Sequence, residues 1–310
     1  MHSRWDGNIY LGIVYPKLFA HANSGEGPIV DTLSTLLHDP FFTAIEVTWI
    51  KNDEIRRQVR DMLKMSYAEI LYNGAPPIRG MGINLCTLDY KLRKKSIENF
   101  KQVIDEAYFL GAKILHCVSG DDPGPSNRAA AKKNLVDSLR QLCQYAVDKA
   151  DEYTLTISLE NSDRDLDRRA LIGPTDEMVE LASEIAKDFE NFGVLLDQGH
   201  LPLLKEDPAK SLEMAKDLLT HIHIGNCYSK DSTKPYFGDK HLPFGVPDSD
   251  VGVEELASFL RAVKNIGFFE KKCPTKLPVL DFEVGPMGNE PPELVIANVK
   301  RVFSQAWTLA

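Results

Sequence analysis

Eight short apolar stretches, each followed by a helix-like stretch, recur along the whole chain, and this alternation restricts the fold more than any other feature. The β-rich stretches fall at residues 8–15, 44–50, 81–88, 113–119, 155–160, 194–200, 219–225 and 279–284. Helical patterns lie between them. Asn52 and Asp53 can cap a helix running to about Leu71, where Asn73-Gly74 and Pro76-Pro77 stop it. Ile97, Phe100, Ile104, Ala107 and Tyr108 recur with a period near 3.6, and Gly111 ends that helix. Further helices are expected near 28–38, 128–150, 175–189 and 292–306, one from Asp207-Pro208 onward and one ending near Gly267. Strict βα alternation implies a parallel sheet. Eight units in 310 residues predict one closed (β/α)8 (TIM) barrel, a single domain over 1–310 with its core at about 8–306. A doubly wound open sheet is the alternative, but it normally needs fewer units, and no GxGxxG follows the first strand.

In such a barrel the chemistry sits where the strands end. The fourth strand offers His116, the fifth ends in Glu160, and the sixth, VLLDQGH, ends in Asp197 with His200 three residues on. The seventh offers His221 and His223, the eighth Asp281 and Glu283. Ionisable residues are rare in buried strands, so their coincidence at five consecutive strand ends is the informative observation. Alternation places His221 with His223 on one side and Asp281 with Glu283 on one side, the later member of each pair nearer the mouth. Glu160, Asp197, His223 and Glu283 thus form a set of three carboxylates and one imidazole. That donor set suits one divalent ion, Mn2+ first, with Mg2+, Co2+ or Zn2+ as alternatives. His221 and Asp281 would lie one layer deeper as buried polar support. His116 reads equally as ligand, substrate contact or satisfied core histidine. Glu46 is polar between apolar Ile45 and Val47 and is expected to bond loop backbone inside the barrel. Trp49 at the end of the second strand could stack on a sugar or simply pack.

Composition narrows the partners. Net charge is −9, which argues against a broad nucleic-acid-binding face. The five cysteines are widely spaced with no CxxC, against a disulfide framework or a structural zinc knuckle. No basic segment leading into an apolar run opens the chain, and no apolar run is long enough to span a bilayer. A cytoplasmic protein with a small-molecule substrate, no nucleic acid and no membrane is expected. A homo-oligomer and a partner subunit both stay open.

Strand-end Glu160, DxGH at Asp197–His200, HxH ending in His223 and DFE ending in Glu283 together resemble the xylose-isomerase-like barrel superfamily, over nearly the whole chain. Its sugar phosphate isomerase/epimerase branch includes the ketose 3-epimerases. The resemblance implies that Glu160, Asp197, His223 and Glu283 hold one metal and that His200 touches substrate. It also implies that Glu160 and Glu283 exchange the roles of base and acid at the carbon beside a carbonyl, through a metal-stabilised enediolate.

Two other branches carry partial resemblances. Asp239 and His241, in FGDKHLPFG of the long loop at about 226–250, form a DxH similar to that of the apurinic endonucleases with their three zincs. That family needs a histidine at the end of the third strand, where this chain is expected to have Cys86. In the one-metal reading, His116, Trp49, His200 and His241 are the expected substrate contacts. EVTWI, within 44–50, and LIGP, at 171–174, resemble metal-binding subunits of C-glycoside deglycosidases, which act as lyases on 3-oxo-glycosides. A non-catalytic sugar-binding role is the remaining reading.

Overall fold

A computed structural model describes residues 5–310. Its strands are β1 (Tyr10–Ile13), β2 (Ala44–Val47), β3 (Glu69–Asn73), β4 (Ile114–Val118), β5 (Thr156–Glu160), β6 (Phe192–Asp197), β7 (Leu219–Gly225) and β8 (Val279–Glu283). They form one parallel sheet in the order β1-β8-β7-β6-β5-β4-β3-β2. Val14 bridges Glu46 in parallel across the remaining seam, so the sheet is a near-closed (β/α)8 barrel.

The third strand is the one that departs from expectation. Residues 81–88 are irregular, and β3 lies at Glu69–Asn73, inside the stretch expected to finish a helix. The helix Asp53–Ser66 stops because Tyr67 takes a left-handed conformation (φ 58°), and the chain then enters β3. Asn73-Gly74 and Pro76-Pro77 therefore close a strand and open a short helix, Ala75–Gly80, with proline in its first turn. Cys86 is accordingly not at a strand end; Asn73 is. The other seven strands overlap the stretches expected for them.

Interior side chains follow the period of two. At the N-terminal end Ala44, Leu71, Ile114 and Val279 pack together with Tyr10 and plug the barrel. Two residues further along these strands stand Glu46, Asn73, His116, Asp281 and Gly12. β2, β3, β4 and β8 thus each carry an apolar residue into the plug and a polar one toward the mouth, and β1 places Gly12 at the polar level. Gly12 pairs with Asp281 across β1 and β8, and a Cβ at Gly12 would lie 1.4 Å from Oδ1 of Asp281. Outside the barrel, the strands' other faces and the helices form one large apolar cluster. No helix among the described residues is long and apolar enough to cross a membrane, and all five cysteines are unbridged.

Candidate active site

At the C-terminal end of the barrel, one ligand atom from each of Glu160, Asp197, His223 and Glu283 lies within 4.8 Å of the others. β5, β6 and β8 each end on their carboxylate, while Gly225 ends β7 two residues after His223. Gly225 leaves the room that the Asp197 carboxylate fills, since a Cβ there would come within 2.7 Å of its Oδ1. All four side chains are buried.

Their hydrogen bonds leave a specific set of atoms over. Asp197 Oδ1 accepts from Gly199 N–H at 2.6 Å, and Oδ2 has no hydrogen-bond partner. Glu160 Oε2 meets His116 Nε2 at 2.9 Å, and Oε1 has no hydrogen-bond partner. Glu283 Oε1 faces Lys17 Nζ at 3.1 Å, and its Oε2 meets His223 Nδ1 at 2.7 Å. Buried carboxylate oxygens without donors are costly unless a cation serves them. Two orphaned oxygens facing an imidazole nitrogen in one cluster therefore fit a divalent ion. Oxygen predominance with one nitrogen matches the harder divalent metals.

The electrostatics agree with a site short of positive charge. Burial pushes Asp197 well above the usual carboxylate range. Burial also pushes Glu160 and Glu283 up, but neighbours outweigh it: His116 and then His200 hold Glu160 down, and His241 and then Lys17 hold Glu283 well down. Burial opposes protonation of His223, yet Glu46 and Glu283 on its two nitrogens hold its pKa well above the usual value. A cation at Nδ1 would take the place of that proton.

Beneath this layer lies support that sequence reasoning placed differently. Among the described residues Glu46 bonds no loop backbone. Its Oε2 meets His223 Nε2 at 2.7 Å, and its Oε1 accepts from Asn73 Nδ2 at 2.7 Å. The signal for this was present, because a buried carboxylate in mid-strand requires a partner inside the barrel. His221 and Asp281 complete the deeper layer, both fully buried, as their spacing implied.

Above the cluster is a cleft of about 270 Å3 whose lining includes Glu160, Glu283, His116, His200, Asp239 and His241. His200 donates from Nδ1 to the carbonyl of Asn161 at 2.8 Å, leaving Nε2 toward Asp239 Oδ1 at 3.3 Å. His241 Nε2 reaches the same Oδ1 at 3.0 Å, and Asp197, His200 and His241 form a second convergent group. Asp239 already has a cation: Arg168 Nε donates to its Oδ2 at 2.5 Å. Trp49 does not line this cleft. Its Nε1 donates to the carbonyl of Asn23, and its ring lies against Gly25 and Gly80, holding together the loops after β1 and β3. It faces a larger outer cleft of about 580 Å3, between the helices Asp53–Ser66 and Tyr90–Leu110, which contains none of the clustered carboxylates and histidines.

Comparison with known proteins adds to this geometry. The chain is 26% identical over 189 residues to an L-ribulose 3-epimerase of Methylomonas sp. (strain DH-1), covering 60% of this chain. The match spans 57% of that relative's length. Among solved structures, an L-ribulose 3-epimerase superposes with a TM-score of 0.70 at 13% identity, over 97% of this chain and 95% of the other. An IOLI protein with a bound zinc atom superposes with a TM-score of 0.70 at 18% identity, over 97% and 98%. At these identities the superpositions establish a shared fold. The Xylose isomerase-like TIM barrel model matches residues 36–272, more than half of the chain, and with the barrel described above it shows that the chain belongs to that family.

Proposed function

We propose that this protein is a divalent-metal-dependent sugar epimerase or isomerase that moves a proton at the carbon beside a ketose carbonyl. The observation that carries this reading is the meeting of two carboxylates, Glu160 and Glu283, at one imidazole beneath one small cleft. The similarity to an L-ribulose 3-epimerase supports the same substrate class. Glu160, Asp197, His223 and Glu283 would hold one ion, Mn2+ first among the candidates. An ion bound there supplies a Lewis acid for the carbonyl and the neighbouring hydroxyl.

The chain's own groups do the proton work. One glutamate accepts the proton from carbon, and the other delivers a proton to the opposite face. Each is held in place by a partner: His116 on Glu160 Oε2 and Lys17 on Glu283 Oε1. His200 and His241, fixed by Asn161 and Asp239, present ring edges to substrate hydroxyls. Enclosure of the acids below the cleft keeps bulk water from them.

The cleft also bears on the other readings. Ligand pockets typically run to roughly 300–1,000 Å3, so about 270 Å3 suits a monosaccharide better than a glycoside with its aglycone. Arg168 on Asp239 supplies the charge that a further metal at the DxH pair would otherwise bring.

The test is solvent exchange. Metal-loaded protein incubated with free pentuloses and hexuloses in deuterium oxide should incorporate deuterium at carbon 3, read by NMR. Absence of exchange into every ketose, at one bound metal per chain, sinks the reading.

A further inference from the structure

Three cationic side chains line the rim of the cleft: Lys17, Arg79 and Arg168, from the loops after β1, β3 and β5. Two of them are spoken for. Lys17 is paired with Glu283 at 3.1 Å and Arg168 with Asp239 at 2.5 Å. Just outside, Lys240 is paired with Asp167 at 2.6 Å. Arg79 is the exception. Among the described residues its guanidinium forms no ion pair, and its side-chain hydrogen bond is one long contact to Asn23 Oδ1 at 3.5 Å. Loss of hydration, and then the charge of Arg168, lower its pKa against the pull of Glu283, Asp239 and Glu160, none of which pairs with it.

A planar guanidinium with most of its donors unused, facing a cleft beside a second arginine, matches an oxyanion in both shape and charge. Asn23 also fixes the geometry, since it donates to the carbonyls of Pro16 and Ala20 while accepting from Arg79. The reacting glutamates lie at the floor of the same cleft, and Arg79 stands at its solvent-reached rim. An extended sugar could span the two.

We propose that Arg79 is a specificity-determining residue that binds an anionic group, a carboxylate or a phosphate monoester, at the end of the substrate remote from the carbonyl. This rests on the epimerase reading only for which end of the substrate reacts. Neutral ketoses would then be poorer ligands than their acidic counterparts of equal chain length.

Calorimetry on the metal-loaded protein with three unreactive probes tests it: D-glucitol, D-gluconate and D-glucitol 6-phosphate. At least one anionic probe should bind tenfold or more tightly than glucitol, and whichever gains identifies the group. Arg79→Met should erase the gain, and Arg79→Lys, which keeps the charge without the fork, should retain part of it. Three probes that bind alike or not at all overturn the proposal. So does a gain that survives Arg79→Met, which would place the anion on the metal instead. Deuterium exchange is read separately, so failure there sinks the epimerase reading without changing this result.

Discussion

Glu46 of β2 reaches across the barrel to His223 of β7, Oε2 to Nε2 at 2.7 Å, and so decides which nitrogen of His223 faces the cluster. With Nε2 donating to Glu46, Nδ1 is the nitrogen turned toward Glu160 and Glu283. A carboxylate behind a ligating histidine fixes the ring and raises its basicity.

Glu46→Gln should therefore weaken metal binding by roughly 10–100-fold, the usual effect of removing such support. Competition with a chelator of known affinity measures it. An unchanged dissociation constant would show that Glu46 only fills space.

Exchange chemistry at the two glutamates should be separately removable. Glu160→Gln and Glu283→Gln are each expected to slow deuterium incorporation by about 10²–10⁴-fold, the scale of a positioned acid or base. Metal content measured on the same samples separates lost chemistry from a lost ion. A variant that keeps both its metal and its full exchange rate would remove that glutamate from the mechanism.

Gly12 and Asp281 form a steric pair that thermal unfolding can expose. A methyl at Gly12 would land 1.4 Å from Asp281 Oδ1 and 3.2 Å from Ala44 Cβ. Gly12→Ala should lose at least ~1–3 kcal/mol, the range for overpacked cores. Gly12→Ala combined with Asp281→Ala should recover much of that, because contacting residues are not additive. A double variant no better than the sum of its parts would place the strain elsewhere.

Acid sensitivity should run through Glu177. Hydrogen bonds from Arg164 outweigh burial and, with Lys132, lower its pKa from 4.5 to about 2. A folded pKa below the unfolded one means a contribution fully present above about pH 4.5 and lost as pH falls toward 2. Arg164 also donates to the carbonyl of Leu171, so the pair ties the loop after β5 to the helix Thr175–Ala186. Glu177→Gln should be less stable than the parent at pH 6, with the difference shrinking toward pH 3. Denaturant unfolding at the two values checks it, and a constant difference would contradict the assignment.

Several elements could be read from residue order because their cause is local. Period-two strands ending in Glu160, Asp197 and Glu283 needed only alternation and length. The third strand could not be read this way. EILYN joins a good helical pattern, and what divides them is the left-handed Tyr67 and pairing with Ala44–Val47 on one side and β4 on the other. Trp49 likewise sits at a strand end by sequence, but its ring direction depends on Gly25 and Gly80, which are distant along the chain.

By itself, then, the amino-acid order determined how many βα units there are and which carboxylates and histidines the fourth to eighth strands bring to the mouth, since both follow from periodicity within single segments. Tertiary structure alone decided which groups meet. Glu46 serves His223, Arg168 neutralises Asp239 and, among the described residues, Arg79 keeps no ion pair, because the first two relations join residues 177 and 71 positions apart and the third depends on which carboxylates the loops keep out of its reach.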